Sequence, residues 1–198
     1  MLKLRKGCKV PLNEKLFEGY ERNGNTIYAN VDADKIIDVL KHFITIHNEP
    51  LFFIFELPTK LDDEKPIQSG VINNFHKDVY YIDGCSQENA LTILEQIGEL
   101  LVNDGLCSFG FGGHLSSNEI MVGKYNLVSI YEKEQRTFDK FFEVHDIKFD
   151  EQLLTAWDTF TREQPGESER IITDGKDVFD IPEMFKEWGM YLAEQRDD

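Results

Sequence analysis

The sequence predicts an α+β protein: a βαββαβ split-βαβ, ferredoxin-like sheet with an additional hairpin strand and C-terminal helices. Three observations carry that expectation. Apolar runs of strand length alternate twice with amphipathic runs of helix length. The 15 Phe and 7 Tyr among 198 residues supply large apolar side chains for a core. A chain of this length removes roughly 70% of its unfolded surface from water on folding, so a single domain is the default.

The first stretch, Met1–Asn25, mixes basic and polar residues and ends on the turn signal Arg22-Asn23-Gly24-Asn25, which suits a lead-in with one edge strand. Thr26–Val31 reads as a strand. Asp32 and Asp34 are then N-cap candidates, since their side-chain oxygens can accept the first orphan amide hydrogens of a helix. In that helix Ile36, Leu40, Phe43 and His47 share a stripe, with Ile37 and Ile44 alongside, and Asn48-Glu49-Pro50 stops it. Leu51–Phe55 is apolar on both alternating faces and reads as a strand buried on both sides, with Pro58 ending its pairing. Thr59–Asn74, carrying Asp62-Asp63-Glu64, Pro66 and Gly70, reads as an exposed connection.

The same grammar then returns. Val79–Ile82 is a strand, Asp83–Ser86 holds the cap, and Ala90, Leu94, Ile97 and Leu101 form the stripe of a helix closed by Asn103-Asp104-Gly105. Leu106–Phe111 is a strand with Phe109 and Phe111 on one face and Gly110 opposite. After the turn Leu115–Asn118, Glu119–Tyr131 reads as one long strand with a bulge at Gly123. Periodicity, more than residue identity, makes a weak internal repeat of about 26–57 and 78–112 inside a sheet domain spanning 1–135.

Residues 136–198 read as an acidic helical extension packed on the same domain. Phe138, Phe141 and Phe142 mark one helix and Leu153, Leu154, Trp157 and Phe160 a second. Pro182 suits the first turn of a last helix bearing Met184, Phe185, Trp188, Tyr191 and Leu192.

The net charge of −16 sets up a field that repels nucleic acid and anionic lipid, so neither direct nucleic-acid contact nor a membrane partner is expected. Nowhere do 18 apolar residues run together, and Cys8, Cys85 and Cys107 are odd in number and far apart, which fits reduced thiols in a cytoplasmic location. Gly110-Phe111-Gly112-Gly113-His114 lacks the lysine and hydroxyl of a phosphate-binding loop. His42 and His47 stand about 140° apart around a helix axis, too far to share a metal, and no calcium loop is present; no metal and no cofactor is expected. Cys85 lies beside a predicted helix N-terminus, where a macrodipole can lower a thiol pKa, although an inert, partly buried thiol is the commoner outcome.

From Glu143 to Asp198 there are sixteen Asp or Glu against six Lys or Arg, more than half of the net charge. Asp146, Asp150, Glu151, Asp158 and Glu163 interleave with Trp157 and Phe160, the mixture an electrostatically steered binding face uses, so these five are the expected partner-binding residues. The resulting expectation is an acidic intracellular protein-binding module that neutralises a basic partner such as a nuclease toxin. The analogy with immunity proteins and antitoxins is one of character, carried by no residue pattern. The alternative is a small-molecule sensor or an enzyme with a cleft near Asp83 and His114. A homodimer through the Glu119–Tyr131 strand is a third reading.

Overall fold

The computed structural model describes residues 1–60, 63–64, 75–133 and 136–197. In chain order the strands and helices are β1 (Cys8–Lys9), β2 (Gly19–Asn23), β3 (Thr26–Asn30), α1 (Ile36–Ile46), β4 (Leu51–Pro58), β5 (His76–Cys85), α2 (Gln87–Asn103), β6 (Ser108–Gly113), β7 (Glu119–Val122), β8 (Leu127–Tyr131), α3 (Asp139–Val144), β9 (Glu167–Ser168), α4 (Ile181–Met184) and β10 (Tyr191–Asp197). The fold is α+β. One antiparallel eight-stranded sheet in the order β10-β5-β4-β6-β7-β8-β3-β2 forms its frame.

Because every neighbouring pair is antiparallel, strands an even number of places apart are parallel. Thus β3-α1-β4 and β5-α2-β6 are both crossovers between parallel strands. They run in opposite senses across the sheet and start from strands of opposite direction, so one shared handedness puts both helices on the same face. Under them Phe53 and Phe55 of β4 lie beside Phe111 and Phe109 of β6, and these in turn beside Ile120 and Val122 of β7. All six are fully buried with Leu40 and Phe43 of α1 and Ile93 and Leu101 of α2. Burying each such side chain contributes about 1.5–3 kcal/mol, enough to fix which face the helices cover.

The segment after β8 runs as a belt from one sheet edge to the other. Tyr20 of the outermost strand β2 donates its N–H to Lys148 O (2.9 Å) and accepts from Asp150 N (2.8 Å), and its ring stacks on Phe142 of α3 at 4.4 Å. Further on, Ala156 joins Leu2, Leu16 and Tyr125 in a second apolar cluster, and β9 pairs with β1. Val178, Ile181 and Phe185 return to the main core before β10 adds the opposite edge strand beside β5.

Arg5 locks the N-terminal segment inside. Its guanidinium donates to Leu101 O (2.8 Å) and Val102 O (3.3 Å) at the C-terminal end of α2, and also to Cys107 O (3.2 Å) and Gly123 O (2.9 Å). A helix C-terminus is where unsatisfied carbonyls and the negative end of the macrodipole favour a cation.

Several expectations are corrected. The strand order is not ferredoxin-like, since β3 lies four places from β4, between β8 and β2. The long strand Glu119–Tyr131 is instead the hairpin β7–β8, turned at Lys124–Asn126, where Tyr125 (φ 56°) and Asn126 (φ 65°) take left-handed conformations. It lies inside the sheet, paired on both sides, so it has no free edge for a second copy. The final helix stops early: Gly189 adopts φ 86°, a conformation that costs glycine little, and the chain leaves as β10 with Tyr191 and Leu192 in a strand. Leu153–Phe160 forms only a 3-10 turn at Ala156–Thr159. Asp32 does not cap α1; its Oδ1 accepts from Lys3 N at 2.7 Å, and a 3-10 turn precedes the helix. Most of the expected loop Thr59–Asn74 lies outside the described residues.

Candidate binding face

The face of the sheet away from the helices is partly covered: Ile54, Val79 and Glu56 are buried on it, while the row around Phe52 stays half-exposed. Alternation puts Phe52, Ile54 and Glu56 of β4 on the face away from α1 and α2, with Tyr81 and Val79 of β5, Gly110 and Gly112 of β6, Glu119 and Met121 of β7, and Tyr131 of β8. Phe52, Tyr81, Glu119 and Met121 are half-buried, Tyr131 is 38% exposed and Tyr191 47%.

Register fixes the row nearest the α1–β4 end: Phe52 opposite Gly112, Gly112 opposite Glu119, Glu119 opposite Tyr131. Gly112 lets the Phe52 ring lie across it toward Glu119; a Cβ there would come within 2.1 Å of Cζ of Phe52 and push the ring aside. Glu119 therefore stands between two aromatic residues. Among the described residues no hydrogen bond or ion pair reaches its carboxylate. Burial raises its pKa above the ordinary glutamate value. The charge of Arg196 opposes that shift, but its guanidinium is already bonded to Glu56 (3.4 Å) and Glu194 (2.6 Å).

At the rim beside Phe52 the structure brings together the pair expected from the sequence. Asp83 Oδ1 lies 3.5 Å from His114 Nε2, and Asp83 Oδ2 accepts the Tyr191 hydroxyl at 2.7 Å. That hydrogen bond raises the tyrosine's pKa by stabilising its neutral form. The His114 ring meets Phe52 edge-on at 5.4 Å, and Phe52 lies 5.6 Å from Tyr81.

The loops carrying this rim are tied down. Gln87 Nε2 donates to the carbonyls of Ile44 (3.0 Å), Thr45 (3.2 Å) and His47 (2.8 Å), capping α1. Glu49 accepts from the amides of Leu115 and Ser116 in the β6–β7 loop. His47 bridges Phe43 O (2.7 Å) and Asn118 Nδ2 (2.9 Å), which holds the residue just before Glu119. Behind the rim a hollow of ≈ 490 Å³ opens between Asn48–Pro50 and Gly84–Glu88. The hydroxyl of Ser86 faces it but accepts from Asn89 N as the cap of α2. The Cys85 thiol is buried, which pushes its pKa up, and Cys107 is pushed to about 12. The lowered thiol pKa considered at Cys85 is thus absent; desolvation outweighs the helix dipole.

The five expected partner-binding acids lie in the belt. Asp146 pairs with Lys148 at 3.6 Å, and Asp150 accepts from Gln152 N. Asp158 closes a capping box with Thr155, whose hydroxyl holds the carboxyl below its usual range. Glu151 is exposed, and Glu163 lines a shallow hollow with Lys9 and Pro11. Phe149, Leu154 and Trp157 are exposed in the same belt. None of the five belongs to the rim around Asp83 and His114. Among the described residues no group of three or more His, Cys, Asp or Glu is arranged to hold a metal ion, and no helix is long and apolar enough to cross a membrane.

No protein-family model, curated protein or solved structure matches this chain. The site therefore rests on geometry alone. Sequence reasoning missed Glu119 and Tyr131 because both were placed on one unbroken strand, and missed Tyr191 because it was assigned to a helix. The usable signal was β4 itself, apolar on both faces.

Proposed function

We propose that the chain is a protein-binding module that captures a basic protein partner on the open face of its sheet, in the manner of an immunity or antitoxin-like inhibitor that neutralises a nuclease toxin. The observation that carries this reading is the mismatch at β4. Its sequence is that of a strand covered on both faces and it is buried along most of its length, yet on the side away from the helices Phe52 stays half-exposed beside half-buried Tyr81 and Met121. The partly exposed set of Phe52, Tyr81, Met121 and Tyr131 has the aromatic and methionine composition of an interface core. Net charge supports the sign of the partner, and the belt acids Asp146, Asp150, Glu151, Asp158 and Glu163 supply a field that steers it.

The test is affinity capture from lysate of cells that produce the chain, at low and high salt, comparing wild type with Phe52→Arg. The expected result is one stoichiometric basic protein, released by salt, lost in the variant and inactive while bound. Recovery of the wild-type chain alone, from lysate containing its candidate targets, contradicts the reading.

A second reading has its own observation: the Asp83–His114 pair and the Tyr191 hydroxyl converge beside a hollow, the polar convergence typical of a small-molecule site. A sensor or enzyme of that kind gains melting temperature with its ligand. A thermal-shift screen in which Asp83→Asn removes the gain supports it, and a screen without hits counts against it.

A further inference from the structure

The open face differs from an ordinary solvent-facing sheet in one respect: a half-buried carboxylate, Glu119, stands among aromatic residues with no hydrogen-bond or ion-pair partner among the described residues. Salt bridges and hydrogen bonds satisfy the other charges nearby. Lys77 Nζ lies 2.9 Å from Glu56, Arg196 is shared between Glu56 and Glu194, and Asp83 is bonded to Tyr191. Leaving Glu119 unpaired and partly desolvated costs stability, and a partly buried anion gains most from a cation brought by something else.

We propose that Glu119, between Phe52 and Tyr131 at the rim of the open face, receives the guanidinium of an arginine on the basic partner. The assignment rests on the reading of the protein as a binder of basic proteins. Three features select arginine. The carboxylate accepts a forked pair of N–H groups. The flanking phenyl and phenol rings offer surfaces on which a planar guanidinium stacks, a geometry an ammonium group does not use. Gly112 has no side chain to compete for the carboxylate, and Arg196, whose charge reaches Glu119, is already engaged by Glu56 and Glu194. Asp83, paired with the His114 that meets Phe52 edge-on, adds a second acid on the other side of the aromatic centre.

The experiment has two arms. In the first, the free chain is titrated with N-acetyl-arginine N-methylamide and, separately, with its lysine counterpart, following ring resonances of Phe52 and Tyr131 and the Glu119 carboxyl carbon by NMR. The expected result is saturable shifts at these three residues with the arginine probe, weaker with the lysine probe and lost in Glu119→Gln. Shifts that do not saturate, that persist in Glu119→Gln, or that are equal for the two probes overturn the arginine assignment. In the second arm, partner affinity of Glu119→Gln is compared with that of a double variant Asp150→Asn/Glu151→Gln. Glu119→Gln should weaken binding tenfold or more through faster dissociation, whereas the belt variant chiefly slows association. A basic partner held equally well by wild type and Glu119→Gln overturns the Glu119 site and leaves the binding reading standing. Probe binding at Glu119 without any basic partner separates the two in the opposite direction.

Discussion

The two faces of the sheet are built by the same strands and solved differently. On the helix face Phe53, Phe55, Phe109 and Phe111 reach zero exposure. Arg5, a deeply buried charge there, meets four carbonyl oxygens, and its guanidinium lies 5.6 Å from the Phe109 ring. On the open face, one residue away along the strands, Phe52, Tyr81 and Tyr131 remain partly exposed, and Glu119 meets no hydrogen-bond or ion-pair partner among the described residues. The helix face is closed by the chain's own apolar residues, with the Oε2 of buried Glu132 left without a hydrogen-bond partner among the described residues. On the proposed reading a partner closes the half-exposed row around Phe52, and this difference then separates stabilising residues from binding residues.

The largest effect belongs to the helix face. Phe109→Ala should destabilise the chain by about 3–5 kcal/mol in chemical denaturation, because it removes a ring and leaves a cavity. Phe52→Ala on the open face should cost about 1 kcal/mol and yet abolish partner capture. Equal destabilisation by the two substitutions would break the comparison.

Arg5→Met should follow at about 2–4 kcal/mol, since four buried carbonyls lose their donor together. Its effect on partner binding should be confined to the loss of folded protein, measured as active fraction.

Gly112→Ala is smaller, about 1 kcal/mol, because the new methyl displaces only the far end of the Phe52 ring. It should still weaken partner binding, by moving the ring that flanks Glu119. A variant with intact affinity would show that Phe52 is not part of the contact.

The smallest and most diagnostic effect is that of Glu119→Gln on stability against pH. Burial raises the folded pKa of Glu119 above its ordinary 4.5, so the native state holds its proton to higher pH than the unfolded chain does. The protonated form is therefore the one favoured by folding, and its contribution is lost as pH rises from 4.5 through the folded value. Glu119→Gln should be more stable than wild type at neutral pH, with the difference closing as pH falls below 4.5. Stability gained together with affinity lost is the signature of a residue kept for binding. A loss of stability at neutral pH would contradict it.

Much of the frame was legible in the sequence. The stripes Ile36-Leu40-Phe43 and Ala90-Leu94-Ile97-Leu101 are buried in α1 and α2, and Ser86 caps α2. Pairing order was hidden, because nothing local tells β3 to join β8 across a hairpin whose turn places Tyr125 and Asn126, neither of them glycine, at positive φ. The final strand was masked by a stripe from Met184 to Leu192 that fits a helix equally well until Gly189 ends it. Asp83 and His114 could be singled out as polar groups near predicted element ends, and the structure places them 3.5 Å apart. Glu119 could not, since its significance lies in its cross-strand neighbours, and those depend on register.

The most direct test of the account is photo-crosslinking in cells that produce the chain, with p-benzoylphenylalanine placed at Tyr131 on the open face or at Trp157 in the belt. The account predicts a covalent adduct with one basic protein from position 131, competed by the unlabelled chain and absent when Glu119→Gln accompanies it. Adducts that form only from position 157, or none from position 131, would contradict the claim that the open face of the sheet is where the partner sits.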